Sequence, residues 1–158
     1  MTKAAVVHDT FVIRSSYPVS ISRVFSFLCD PAKKARWFAA DGESSTVDQM
    51  QMEFREGGIE RVCYRLNEKT PFPGAVLITE SVYQDIQQDR RVVMSSTMTL
   101  AGRRISCSLV TFELQQEAEA AHLILTHQGA FFEGSGGPEM RKEGWDVLLG
   151  RLSKLLEN

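Results

Sequence analysis

His127 is the side chain whose type and setting best suit chemistry. It follows Leu123 and Leu125 at a spacing of two, so the three share one face of a strand. On an inward-facing strand surface a neutral imidazole can hydrogen-bond a ligand or pass a proton. At a strand end it can equally serve a backbone carbonyl, and both roles stay open. His122 lies five residues earlier and therefore on the opposite face, so one strand cannot bring the two imidazoles to a single metal ion. His8 falls in a terminus expected to be mobile. Cys29, Cys63 and Cys107 are widely separated and show no C-x-x-C spacing. They read as small buried apolar side chains in a reducing, cytoplasmic setting rather than as a zinc site or disulfide framework. Arg61 and Glu80 sit mid-strand, where a buried charge would require a partner. Two solvent-facing residues on a half-exposed sheet are the expected arrangement. The sequence contains no G-x-S-x-G, H-E-x-x-H, G-x-x-x-x-G-K or G-x-G-x-x-G. No metal or cofactor is expected, and an enzyme would have to rely on His127.

A second set of residues suits binding rather than catalysis. Trp37, Phe38, Phe131, Phe132 and Trp145 are large apolar groups, and Met94, Leu123, Leu125 and Leu149 are expected to lie near them. An aromatic-lined cavity with few polar groups suits an apolar or aromatic ligand. Ordinary core packing would use the same residue types. Met50, Met52 and Met98 add adaptable lining of the same double character. Gly134, Gly136 and Gly137 follow the Phe131-Phe132 pair and suit a hinge there.

These side chains need a scaffold. The chain has 158 residues, with 43% hydrophobic and 24% charged residues, which suits one globular domain over 1–158. A net charge of -2 gives no field for nucleic-acid phosphates or an anionic membrane surface. The basic pairs Lys33-Lys34, Arg90-Arg91 and Arg103-Arg104 read as solvated surface. The apolar start breaks at His8-Asp9, too early for a signal segment, and no run approaches the roughly 20 apolar residues of a membrane span.

Apolar periodicity predicts the order strand, two short helices, six strands, long helix. The first strand covers about residues 10–15. Pro18 or Ser20 begins a short amphipathic helix carrying Val24, Phe25 and Leu28, which ends near Asp30-Pro31. A second helical stretch carries Trp37 and Phe38. Six strands follow near residues 46–54, 59–66, 74–82, 90–98, 105–114 and 121–127, with hairpin-length gaps. Such strands build an antiparallel sheet. In the fifth of these six, Ser108, Val110, Phe112 and Leu114 share one face and Cys107, Leu109, Thr111 and Glu113 the other, with apolar residues on both. After Gly136-Gly137-Pro138, a helix presents Met140, Trp145, Leu148, Leu149, Leu152, Leu155 and Leu156 as one stripe. The sheet is its natural partner. Gly144 within that helix is expected to allow close approach to a neighbouring element.

Specific residues carry a family resemblance across nearly the whole chain. They are Asp30-Pro31 with Arg36-Trp37-Phe38, Phe54 with Gly57-Gly58, Asp89-Arg90-Arg91-Val92-Val93, Val110-Thr111-Phe112-Glu113, Thr126-His127 with Gly129, and Gly144-Trp145 with Leu148 and Leu152. In order and spacing the chain resembles the SRPBCC (START-like) superfamily. Within it, the chain is similar to the group named for the C-terminal domain of the heat-shock protein 90 ATPase activator. The resemblance implies an α+β helix-grip fold, a curved antiparallel sheet wrapped around the long C-terminal helix. It also implies a cavity for a hydrophobic small molecule. Two further roles follow from members of the superfamily: a polyketide cyclase or aromatase using His127 as acid–base, and an interaction module for a chaperone or stress regulator. Phe25 stands where the group often has Trp, and Ser95-Ser96 where an aromatic is common, which implies a larger or more polar pocket. The large activators carry a further N-terminal domain, so chaperone activation is not expected to transfer. A homodimer through exposed edge strands is compatible with the fold.

Overall fold

The structure, a computed structural model, describes residues 6–157. The opening residues 1–5, part of the apolar start discussed above, lie outside that range. The chain runs β1 (Val7–Tyr17), α1 (Ile21–Cys29), α2 (Pro31–Phe38), β2 (Ser45–Met52), β3 (Ile59–Leu66), β4 (Val76–Gln87), β5 (Arg91–Leu100), β6 (Arg103–Glu117), β7 (Ala120–Phe131) and α3 (Gly137–Leu156).

Local chemistry explains the breaks. Ser20 caps α1 by accepting from the Arg23 amide at 3.2 Å. Asp30 then ends one helix and starts the next. Its amide donates to the Ser26 carbonyl, while its carboxylate accepts from the Ala32 and Lys33 amides at 2.9 and 3.3 Å. Pro31 in the first turn of α2 forces the change of direction. Short connections join β2 through β7 as antiparallel neighbours, and β1 closes onto β7, giving the order β1-β7-β6-β5-β4-β3-β2. The result is the expected α+β helix-grip arrangement, a curved antiparallel sheet with the helices on its inner face. Several strands outrun their expected ends, β7 among them, which runs to Phe131. β4 continues to Gln87 across a bulge at Tyr83/Asp85, and β1 begins at Val7. His8 is therefore paired, opposite Ala130, rather than in a mobile tail.

The two halves of α3 differ. From Trp145 onward the helix buries Trp145, Leu149, Leu152 and Leu156, roughly 2 kcal/mol for each such side chain. Trp145 lies against Phe38 and Phe112, with ring centroids 5.8 Å apart in both cases. The first half is looser. Met140, expected in the buried stripe, is 60% exposed. A methyl group on Gly144 would meet nothing within 4 Å, so this glycine permits no close approach. Instead of a side-chain cap, the helix begins at Gly136 and Gly137, both at positive φ (79° and 85°), a backbone shape that glycine adopts without strain.

Candidate functional site

Alternation along β7 sends Leu123, Leu125, His127 and Phe131 to the inner face, and each is at most 1% exposed. His122 points to the other side and pairs with Glu117 at 3.3 Å. The imidazole of His127 is sandwiched. Phe11 of β1 stacks on it at 4.7 Å and 3°, and Phe131 at 5.8 Å and 23°. Gly129 makes that second stack possible. A Cβ there would sit 2.8 Å from the Phe131 ring and 3.0 Å from His127 Cε1. Burial, and next the charge of Arg141, push the imidazole down to about 4, so it is neutral at pH 7. Its Nδ1 is buried and has no hydrogen-bond partner.

Arg141 comes from the loose first half of α3. Its guanidinium lies over the Phe131 ring at 5.3 Å and donates to the Ser106 hydroxyl at 2.7 Å. Burial pushes it down to about 10. Among the described residues, no carboxylate lies within ion-pair distance of it.

The register extends this corner across the sheet. Gly129 faces Ser108, Ser108 faces Ser96, Ser96 faces Ser81, and Ser81 faces Glu60. This row of small inward residues is flanked on one side by His127, Val110, Met94 and Tyr83, and on the other by Phe131, Ser106 and Met98. Ser81 and Ser96 bond to each other at 2.6 Å, whereas the Ser108 Oγ is buried without a partner.

At the far end of the row lies a different polar cluster. Lys34 and Glu60 form a 2.7 Å ion pair with side chains 2% and 1% exposed. Tyr83 donates its hydroxyl to the same Glu60 oxygen, and burial, with the carboxylate beside it, holds the phenol protonated far above its usual range. Lys34 also lies over the Phe38 ring at 4.7 Å. The expectation that Lys33-Lys34 is solvated surface is thus wrong for Lys34. Arg61 and Glu80 do form a half-exposed pair on the outer face at 3.2 Å.

The remaining expected ligand-contacting residues are also internal. Trp37 is fully buried and donates its indole N–H to the Phe27 carbonyl at 2.9 Å. Phe38, Met94, Trp145 and Leu149 are buried in the same core. Phe131 ends β7 rather than lying in a loop, and Phe132 is half-buried beyond it. Side chains fill the space beneath the second half of α3. A hollow of about 370 Å³ opens instead on the outer face, among Glu80, Val82, Ser95, Ser96, Thr97, Arg104, Cys107 and Ser108, so two members of the serine row also border it. Cys107 is exposed there and Cys29 half-buried, and only Cys63 is buried as expected. Among the described residues, no three His, Cys, Asp or Glu side chains gather to hold a metal ion. No helix of the described residues is long and apolar enough to cross a membrane.

Sequence reasoning missed Arg141, Lys34 and Glu60, although each carried a signal. Arg141 precedes Trp145 by one helical turn, on the apolar stripe, and Lys34 shares a face with Trp37 and Phe38. Glu60 alternates with Val62 and Tyr64.

Comparison with known proteins agrees with this architecture. The family described as Activator of Hsp90 ATPase homolog 1-like protein matches residues 18–157. An uncharacterised protein from Rhizobium leguminosarum is similar over 96% of both chains, with 30% identity and a TM-score of 0.87. Mll3558 from Rhizobium loti is similar at 34% identity over 96% of this chain and 99% of its own, with a TM-score of 0.82. CalU16 from Micromonospora echinospora shares the fold at 20% identity, covering 96% of this chain and 83% of its own, with a TM-score of 0.61. No curated protein matches the chain.

Proposed function

The chain belongs to the Activator of Hsp90 ATPase homolog 1-like family, and from that membership and the shape of its inner face we propose that it is a binding domain for an apolar or aromatic small molecule. The ligand lies between the sheet and the first half of α3. One observation carries this reading: the row Gly129, Ser108, Ser96 and Ser81 places small side chains between the larger His127, Val110, Met94 and Tyr83 on one side and Phe131 and Met98, with Ser106 between them, on the other. His127, Phe131 and Met94 form the walls, and Leu123, Leu125, Phe38, Trp37, Trp145 and Leu149 hold those walls in place. The glycines before α3 let its first half swing outward to admit the ligand.

An acid–base role for His127, as in a cyclase, is less well supported. An imidazole pushed down to about 4 is a poor base at neutral pH. Among the described residues, no titratable side chain is hydrogen-bonded to its Nδ1, which points the same way.

Titration with a neutral fluorescent probe, N-phenyl-1-naphthylamine, tests the binding reading. The wild type is expected to enhance its emission saturably. Ser108→Phe, which raises the floor of the trough, is expected to weaken binding at least about tenfold. A folded wild type that leaves the probe dark, or a folded Ser108→Phe that binds it as well, would remove the proposal.

A further inference from the structure

We propose that the ligand is an apolar monocarboxylic acid whose carboxylate pairs with Arg141, an inference that rests on the binding reading above and assigns the chemistry of the same site. Arg141 is the starting point. The Arg141 guanidinium is half-buried, and a cation drawn partly out of water normally has an acid beside it to offset the lost hydration. Here the protein provides a hydroxyl, Ser106, and an aromatic face, Phe131. The acid in register with Gly129, Asp9 of β1, is exposed and forms no ion pair with Arg141. The planar guanidinium retains further N–H donors in a geometry that matches a carboxylate's two oxygens.

Two more polar atoms belong to this corner, and neither has a partner among the described residues. Nδ1 of His127 and Oγ of Ser108 are both buried. Ser108 faces Gly129 across the β6–β7 register, and Gly129 stands between His127 and Phe131 on the inner face. A carboxylate on Arg141 would enter a corner already furnished with an unused hydroxyl and an unused imidazole nitrogen. A buried polar atom without a partner is uncommon in a folded domain, and two beside an unpaired cation point to a missing anion.

The rest of the trough sets the remainder of the ligand and its direction. Beyond Ser108 the row offers only Ser96 and Ser81, bonded to each other, between walls that include Val110 and Met94. That stretch suits a chain or ring without charge. The row ends at Glu60, whose Oε1 is buried and unpartnered. A second negative charge there would meet a carboxylate already paired to Lys34, so a dicarboxylate is disfavoured and the acid must lie at the Arg141 end.

Competition against the neutral probe tests this, with two acids and their methyl esters: decanoate for a linear chain and 4-phenylbutyrate for an aromatic body. In the wild type, at least one acid is expected to displace the probe at about tenfold lower concentration than its ester, the scale of one charge-assisted contact. The member of the pair that does so tells a fatty from an aromatic source. Arg141→Met, compared with its own affinity for the probe, is expected to lose the preference for acid over ester. Arg141→Lys, which keeps the charge without the planar fork, should fall between them. Equal displacement by acid and ester in the wild type overturns the inference while leaving the binding reading intact, and so does an acid preference that survives in Arg141→Met. A wild type that does not bind the neutral probe removes both. The wild-type comparison alone decides the matter if Arg141→Met does not fold.

Discussion

The inner face holds one buried cation, Lys34, and one half-buried cation, Arg141, and the protein treats them oppositely. Lys34 is closed in by Glu60 at 2.7 Å, with Tyr83 on the same carboxylate and aromatic rings around the ammonium. Arg141 has a serine, one ring and no acid among the described residues. The first arrangement pairs its two charges with each other and is structural, although Glu60 Oε1 has no hydrogen-bond partner among the described residues. The second is complete only when something else arrives. The supporting elements differ in the same sense. Lys34 stands on α2, locked by the Asp30 cap and by the fully buried Trp37 beside it. Arg141 stands on the half of α3 that begins at two glycines without a side-chain cap.

The largest effect should come from removing one partner of the closed pair. Lys34→Met leaves Glu60 buried with only Tyr83 beside it, and is expected to cost about 3–5 kcal/mol of unfolding free energy. Arg141→Met removes a cation that leaves no charge stranded, so its cost should stay within about 1 kcal/mol. Urea denaturation at pH 7 measures both. If the two variants lose similar stability, the division into a structural and a receptive cation is wrong.

The His127 sandwich gives the next largest effect, and it depends on pH. The imidazole is pushed from its ordinary 6.5 down to about 4 in the folded protein, chiefly by burial and then by Arg141. Above about pH 6.5 neither the folded nor the unfolded imidazole carries a proton, and the full stability is present. Between about 6.5 and 4 the unfolded chain takes up a proton that the folded one refuses. Stability therefore falls with pH across that window, by up to about 3 kcal/mol, and the loss levels off below it. Carboxylates titrate nearby, so the informative quantity is a difference. The stability of the wild type relative to His127→Phe should decline as pH drops from 7 to 4. A flat difference would mean that the imidazole is far more hydrated than its stacking between Phe11 and Phe131 implies. In Arg141→Met, the wild-type slope should shrink, because one of its two causes is gone.

The architecture was legible because its signals are local. Pro18 or Ser20 marks the first helix start and Asp30-Pro31 its end, six spaced runs mark strands, and the stripe from Trp145 to Leu156 marks the buried helix. The inner direction of His127 was legible from Leu123 and Leu125 alone. The two-sided character of β6 was not resolved by pattern, since Leu109 and Thr111 dilute the outer face. Only pairing with Leu125 and His127 fixes Phe112 and Val110 inward. The serine row was beyond reach for a different reason. It exists only through register, which bulges at Tyr83/Asp85 and Met98/Thr99 help set. Lys34 was misread because a pair of lysines usually marks a wet surface. Its helical phase with Trp37 and Phe38 was the better guide.

The smallest expected effect sharpens the contrast within α3. Gly144 closes the loose half of the helix, and an added methyl group there meets open space. Alanine costs less backbone entropy in a helix, so Gly144→Ala should stabilise the fold by up to about 1 kcal/mol. Trp145, next in sequence, is already fixed against Phe38 and Phe112, so the gain falls on the turns that carry Arg141. If ligand entry requires those turns to lift, stiffening them should slow probe association in stopped-flow measurements and slow dissociation in parallel, with affinity changing less than either rate. Higher thermal stability with unchanged rates would place the entry route elsewhere, along the strand ends near Met98 and Thr79. The first half of α3 would then be loose without acting as a gate.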